Sequence, residues 1–251
     1  MCDLFGGLTS CAGLGWLAFG ALLAGLVRGF AGFGTAMIYL PFAGQVLSPF
    51  AALTSLIVKD LIAPLIHVPR AVREGQPRNL LWLMAGAVIS VPLGVWVLSQ
   101  VAPDVFRWAV SVVTFAMLAA LIFGLRYKGP ITPGISIAAG GTGGFLAGSV
   151  GLPGPPVILL YMASTLPPAV IRATLTLYLI LADVLLLAVF KWSGVLVTSA
   201  VLLGVAMILP YLMGNWLGAM MFRPEREVLY RRVAYTIIAG SAFLGLPIWD
   251  R

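Results

Sequence analysis

Ionisable side chains interrupt several long apolar stretches of this sequence. The five expected at membrane depth are Arg28, Lys59, Asp60, Arg172 and Asp183, and His67 lies nearer the end of an apolar stretch. A charge inside a bilayer costs roughly 2.5–3.5 kcal/mol on insertion scales, so a charged residue at membrane depth indicates a functional site. Three of the five are cations. We therefore expect a small anion to bind among them.

Helical spacing places the two later cations beside hydroxyl groups. Lys59 follows Ser55 by four residues, and Arg172 precedes Thr176 by four. Residues four apart lie on one face of a helix, so each cation shares a face with a hydroxyl. Ammonium or guanidinium groups together with hydroxyls can hold the oxygen atoms of an anion.

The acidic residues and the histidine are candidate proton carriers. Asp60 and His67 are seven residues apart, and Arg172 and Asp183 are eleven apart, so the members of each pair share a helix face. Carboxyl and imidazole groups inside a membrane can relay protons. The alternative is structural, with each carboxylate neutralising a nearby cation and His67 lying at the membrane interface.

Two glycine-rich stretches, residues 25–34 and 144–154, interrupt the apolar sequence at equivalent places in its two halves. Irregular backbone at membrane depth is tolerated only where protein or a watery cavity surrounds it, and such paired interruptions indicate the binding site of a transporter. Free backbone N–H groups there can bind an anion. The alternative for Arg28 is a side chain that reaches the membrane interface. The binding candidates in these stretches are Arg28, Gly29, Gly32, Phe33, Gly34, Ser149, Gly151 and Gly154.

Composition indicates a polytopic helical membrane protein. Of the 251 residues, 61% are hydrophobic and 9% are charged, against about 25% charged residues in soluble domains. The net charge of +7 comes mainly from basic residues that flank apolar segments, which is typical of membrane orientation signals and not of nucleic-acid binding. No phosphate-binding loop or His-Glu-x-x-His motif occurs, so we expect no enzyme, no cofactor and no metal site.

The apolar segments form two similar sets of five. In the first half they cover residues 12–28, 34–47, 50–68, 79–100 and 105–125, and in the second half 132–147, 155–166, 168–190, 194–221 and 229–248. The glycine-rich stretches and several later residues match at an offset of 119 positions. We therefore predict an all-α membrane protein with two repeats, residues 1–128 and 129–251, each beginning with a glycine-rich helical hairpin.

Loop charges predict that the repeats are inverted. If the first two segments of each half form a hairpin, each half crosses the membrane an odd number of times. Nine basic loop residues then lie on the cytoplasmic side and three, Arg107, Lys191 and Arg251, on the other, as the positive-inside rule requires. In the parallel alternative, four arginines between residues 223 and 232 fall outside.

The combined pattern resembles the TauE/SafE family of sulfite exporters and sulfonate permeases. The residues that carry the resemblance are Gly29, Gly32, Gly34, Pro49, Thr54 and Ser55, then Gly148, Gly151, Gly154, Pro168 and Thr174. The resemblance covers almost the whole chain. It implies a bacterial inner-membrane transporter of sulfite, sulfonates or related sulfur oxyanions, although some relatives are assigned to carboxylates.

We therefore predict a secondary transporter that moves a small anion across the cytoplasmic membrane by alternating access, with proton coupling as a further hypothesis. The alternatives are a carboxylate transporter, an anion channel of the same architecture, and a membrane subunit without transport of its own. The predicted partners are the lipid bilayer and the substrate, without nucleic acid, and a homo-oligomer is left open.

Overall fold

The computed structural model describes residues 9–65, 68–124, 129, 131–161, 166–222, 225 and 227–248. Over these residues the regular structure is entirely helical. The helices are α1 (Cys11–Ala31), α2 (Thr35–Ala43), α3 (Pro49–Leu65), α4 (Val68–Glu74), α5 (Pro77–Ser99), α6 (Pro103–Ile122), α7 (Pro133–Val150), α8 (Gly154–Tyr161), α9 (Pro168–Trp192), α10 (Thr198–Met221) and α11 (Glu227–Leu244). Each of the ten predicted segments corresponds to one of these helices, with bounds that differ by a few residues. The short helix α4 lies where a loop was expected.

Several helices have the length and the surface of membrane spans. Among the described residues, α1, α5, α6, α9 and α10 are long and apolar enough to cross a bilayer. Large apolar side chains on α5 and α10 are exposed, among them Ile89, Trp96, Leu209 and Trp216. Continuous exposed apolar surface of this kind suits contact with lipid. The chain is therefore a multi-pass, all-α membrane protein, as predicted.

The helices group into two compact units that do not coincide with the sequence halves. The first unit comprises Met1–Asp60, Ala102–Ala119 and Leu196–Arg251, and the second comprises Leu61–Val101 and Ala120–Val195. Each unit thus draws helices from both halves of the chain. The division into repeats 1–128 and 129–251 is a statement about duplication of the sequence, and it stays a prediction.

In the first unit, α1 packs closely against α10 through glycines. A Cβ atom on Gly25 would collide with the carbonyl of Tyr211, and one on Gly29 with the backbone of α10 a turn further on. In return, Gly214 and Gly218 of α10 lie against carbonyl groups of α1. Small residues spaced four apart let two helix backbones approach in this way. Gly29, expected just beyond the first segment, thus lies within α1, and both Gly25 and Gly29 are helical packing residues.

In the second unit, α5 and α7 pack in the same manner. Gly140, Gly144 and Gly148 follow one another at intervals of four along α7, and each faces backbone or a small side chain of α5. Gly86 and Gly94 of α5 face the α7 backbone in return. Because added Cβ atoms would collide at all five positions, glycine is required there for the close approach of the helices.

Arg107 lies in the packed interior and not in an exposed loop. Only 7% of its surface is exposed, and its Nε donates a hydrogen bond to the Gly245 carbonyl over 3.3 Å. Gln45 Nε2 donates to the neighbouring Leu244 carbonyl over 3.1 Å. These donors satisfy carbonyl groups that the end of α11 leaves without helical partners. Arg107 therefore cannot be counted among the loop charges that set orientation.

Candidate functional site

The helix breaks fall at the ends of the glycine-rich stretches. Helix α1 ends at Gly32, with φ of 79°, and Gly34, with φ of 93°, precedes α2. Helix α7 ends at Gly151, with φ of 71°, and α8 begins at Gly154. These left-handed conformations favour glycine strongly. The helices that follow have nine and eight residues, well below the roughly 20 that a span requires.

Lys59 of α3 is completely buried within the first unit, with 0% exposure. Its Nζ lies 4.8 Å from the centroid of the Tyr39 ring on α2 and 4.2 Å from that of the Tyr211 ring on α10. Aromatic rings attract a cation within about 6 Å of the centroid, most strongly where water is excluded. The two tyrosines thus form an aromatic cage around the ammonium group.

Asp60 is the counter-ion of Lys59. Asp60 Oδ1 pairs with Lys59 Nζ, and Asp60 Oδ2 accepts a hydrogen bond of 2.9 Å from Thr35 Oγ1 on α2. Both carboxylate oxygens therefore have a partner. The Asp60 side chain keeps 18% of its surface exposed, whereas Lys59 keeps none. The site is therefore an ion pair in which only the Asp60 side chain reaches the surface of the protein.

Hydroxyl groups lie one turn before this pair. The Tyr39 hydroxyl is 3.1 Å from Ser55 Oγ, and Ser55 Oγ donates to the Ala52 carbonyl over 2.9 Å. A serine has one proton to donate, so Tyr39 donates to Ser55 in this arrangement. Thr54 is also fully buried, and its Oγ1 has no hydrogen-bond partner within the described part of the chain.

Arg28 lies in the last turn of α1 and is partly buried. Its carbonyl accepts the Gly32 N–H over 2.8 Å. Over the described ranges no hydrogen bond or ion pair of its guanidinium occurs, but its charge acts electrostatically on Tyr211. Arg28 thus adds positive potential to the side of the site formed by α10.

Phe33 follows the glycine break and its ring packs against Tyr235 of α11, with the ring centroids 6.3 Å apart. The α2 helix begins directly afterwards without a side-chain cap. The structure therefore leaves the first N–H groups of α2 without a capping side chain, as an anion site at this helix start would require.

The candidate hydroxyl groups of the second unit bond mainly to helix backbone. Ser149 Oγ donates to the Phe145 carbonyl and Thr176 Oγ1 to the Arg172 carbonyl, each over 2.8 Å. Thr174 donates to its own helix and accepts the Gln76 N–H over 3.1 Å. The hydrogen bond from the Gln76 N–H to Thr174 Oγ1 joins α9 to the start of α5.

The charged candidates of the second unit lie on α9. Arg172 is exposed near the start of this helix, and Asp183 is half-buried three turns later. His67 lies outside the described residues. A cavity of about 360 Å³ in this unit is lined by apolar side chains such as Val72, Leu80 and Leu177. This cavity lacks the charge and hydroxyl groups that an anion needs.

Under the predicted offset, which stays a prediction, the charged site would have no counterpart in the second half. At 119 positions, Ser55 corresponds to Thr174, whereas Lys59 corresponds to Tyr178. Tyr178 is fully buried, and its hydroxyl donates to the Gly140 carbonyl over 3.4 Å. The cation at the equivalent place is thus replaced by a phenol.

Sequence reasoning identified Ser55, Lys59 and Asp60 but missed the two tyrosines. A signal for one of them was present, because Thr35 and Tyr39 are four apart in a short apolar helix and so share a face. Nothing local marks Tyr211, which comes from a helix 152 residues beyond Lys59.

Comparison with known proteins gives one family. The model of the sulfite exporter TauE/SafE family matches residues 17–244, nearly the whole chain. No curated protein and no solved structure matches significantly.

Proposed function

Since the chain belongs to the TauE/SafE sulfite exporter family, a family of membrane transporters, we propose that it moves a small sulfur oxyanion across the bacterial cytoplasmic membrane. The proposed cargo is a sulfonate, sulfite or a related anion, carried by a secondary mechanism. The family supports the substrate class, and the buried ammonium group of Lys59 in the first unit supports an anion.

The observation that carries this proposal is the cage around Lys59. An ammonium group with 0% exposure is costly to keep inside a membrane protein, and this chain retains it between two rings. An anion bound beside it would gain a charge-assisted hydrogen bond in a region of low dielectric. Ser55 would donate to a further oxygen of the anion once its hydroxyl turns away from the Ala52 carbonyl, to which it now donates.

We also propose that the two halves are inverted repeats that operate by alternating access. Helix α1 packs on α10, and α7 packs on α5. In each pair, the first segment of one half packs against the fourth segment of the other half. A duplicated sequence would produce the same contact twice in this way. Rocking of such units around a fixed site is the usual mechanism of repeat transporters.

The other candidates keep distinct roles within the proposal. Arg28 and the glycine turns would attract and orient the anion, and Asp60 or Asp183 would carry a proton. The residues of the second unit to be tested for substrate contact are Ser149, Gly151, Gly154, Arg172, Thr174 and Thr176. We assign the chain no catalytic step, because the site described here binds charge and offers no evident nucleophile activated by a base.

Transport by the purified chain in proteoliposomes tests the proposal. We expect saturable movement of labelled sulfite or ethanesulfonate, and a loss of at least about tenfold in Lys59→Met, because a hydrogen bond to a charged group contributes about 1.5–3 kcal/mol. Lys191→Met is the matched control, since Lys191 is exposed at the end of α9 and should transport normally.

The remaining outcomes of the same assay separate the alternatives. Transport of small carboxylates but not of sulfur oxyanions would contradict the proposed cargo. Flux that does not saturate would indicate a channel. Absence of both transport and anion binding in the purified chain would indicate a subunit of a larger assembly. Equal transport by Lys59→Met and the unaltered chain would overturn the assignment of the site.

A further inference from the structure

We propose that the transported anion replaces Asp60 as the partner of Lys59, and that the displaced Asp60 takes up one proton. One proton would then accompany each monoanion. This inference rests on the proposed function and assigns the coupling to one residue of the site. It also favours monoanions over dianions as cargo.

Lys59 and Asp60 together are neutral, and Lys59 is wholly buried. A monoanion that entered while Asp60 stayed ionised would leave one uncompensated negative charge in a region of low dielectric, which is strongly unfavourable. Protonation of Asp60 restores neutrality, with Lys59 then balancing the anion.

The other groups near Asp60 do not balance the negative charge that a bound anion would add. Lys59 is its neighbour on α3 and Thr35 on α2 donates to it, while Tyr39 on α2 and Tyr211 on α10 lie against Lys59. Of these, only Lys59 carries a charge at neutral pH. Arg28 on α1 adds positive potential at Tyr211, but it is only partly buried, so its charge is screened more than that of Lys59.

The contacts allow the exchange to occur without exposing a bare charge. The rings of Tyr39 and Tyr211 stay beside Lys59 Nζ when Asp60 moves away, and so continue to stabilise the ammonium group. Thr35 Oγ1 donates to the carboxylate of Asp60. A hydroxyl both donates and accepts, so Thr35 can also accept a hydrogen bond from the protonated carboxyl group.

The proton can reach Asp60 because its side chain is the partly exposed end of the pair. The step balances in atoms and charge. The carboxylate binds one proton from the side on which the anion enters, the ammonium group keeps its protons and pairs with the anion, and release on the other side reverses both events. A dianion would require two protons, and the pair offers one carboxylate to receive them.

Proton uptake on binding tests this inference. The probe is ethanesulfonate, which stays a monoanion throughout the neutral range, so the ligand itself contributes no proton. Calorimetry on the full-length protein in detergent, in buffers of different protonation enthalpy, should give about one proton taken up per anion. Where Asp60 is ionised in the free protein, affinity should fall about tenfold per pH unit as the pH rises.

Variants identify the group that takes up the proton. Asp60→Asn should bind ethanesulfonate without proton uptake and with affinity independent of pH. Asp60→Glu keeps a carboxyl group and should keep the proton uptake. It therefore tests the role of the carboxyl group even if Asp60→Asn does not fold. Asp104→Asn is the matched control, because the Asp104 side chain is 77% exposed on α6, and it should behave as the unaltered protein.

Failure of this inference is distinguishable from failure of the proposed function. Binding without proton uptake by the unaltered protein, or uptake that persists in Asp60→Asn, would overturn the inference and leave the Lys59 site intact. Loss of uptake in Asp183→Asn with retention in Asp60→Asn would assign the proton to α9 instead. Failure of both ethanesulfonate and sulfite to bind would overturn the proposed function and the inference with it.

Discussion

Lys59 Nζ lies 4.2 Å from the centroid of the Tyr211 ring, although the two residues come from helices in opposite halves of the chain. Tyr39 adds a second ring at 4.8 Å. For a desolvated cation such a contact contributes about 2 kcal/mol. Tyr211 belongs to the α10 segment whose backbone Gly25 of α1 approaches closely. The cation therefore depends on the packing of α1 against α10 for its position.

Replacement of Tyr211 should separate the contribution of its ring from that of its hydroxyl group. We expect Tyr211→Leu to lower the free energy of unfolding by about 1–3 kcal/mol, because the ammonium group loses an aromatic face and the core loses volume. Tyr211→Phe keeps the ring and should remain close to the unaltered protein. Thermal unfolding in detergent is the measurement, and equal destabilisation by both changes would contradict a role for the ring.

Removal of one member of the ion pair should cost more than removal of both. Lys59→Met leaves the Asp60 carboxylate without its cation, and breaking a buried pair costs about 3–5 kcal/mol. The cost should be somewhat smaller here, since 18% of the Asp60 side chain is exposed. The double variant Lys59→Met, Asp60→Asn should recover much of the stability without recovering anion binding. An additive loss in the double variant would show that the two groups do not stabilise each other.

The contact between α1 and α10 should not tolerate a methyl group at Gly25. A Cβ there would collide with the Tyr211 carbonyl, so Gly25→Ala must separate the helices, at a cost of about 1–3 kcal/mol. Gly15→Ala on the same helix is the control, because nothing lies within 4 Å of its added Cβ. That change should be neutral or stabilising by up to about 1 kcal/mol. Similar unfolding temperatures for both variants would argue against glycine-mediated packing.

Arg28 should raise the affinity for the anion through the long-range attraction of its positive charge. We expect Arg28→Gln to weaken ethanesulfonate binding about two- to tenfold at low ionic strength and to reduce the dependence of affinity on salt, because salt screens partly exposed charges. Arg28→Lys keeps the charge and should keep most of the affinity. Titrations at two salt concentrations measure the effect. A salt dependence that is unchanged in Arg28→Gln would remove this residue from the site.

Local patterns in the sequence were enough to locate the helices. Hydropathy predicted all ten segments, because each helix in a membrane must satisfy its own backbone hydrogen bonds and carry apolar side chains along its length. The four-residue spacing of Ser55 and Lys59 placed both on one face of α3, where they are found. The same reasoning missed α4, which is short and carries charges, and it placed Arg107 in a loop.

Which helices touch was not accessible from these patterns. Gly29 was expected beyond the end of the first segment, whereas both it and Gly25 lie within α1 and contact α10. Apolar helices of similar composition offer many partners of nearly equal hydropathy, so the choice depends on the fit of small residues over long separations in sequence. That fit brings Tyr211 to Lys59 and separates the elements into units that mix both halves. Hydropathy and spacing along the chain thus determine that a buried cation exists, and side-chain packing between distant helices determines what surrounds it.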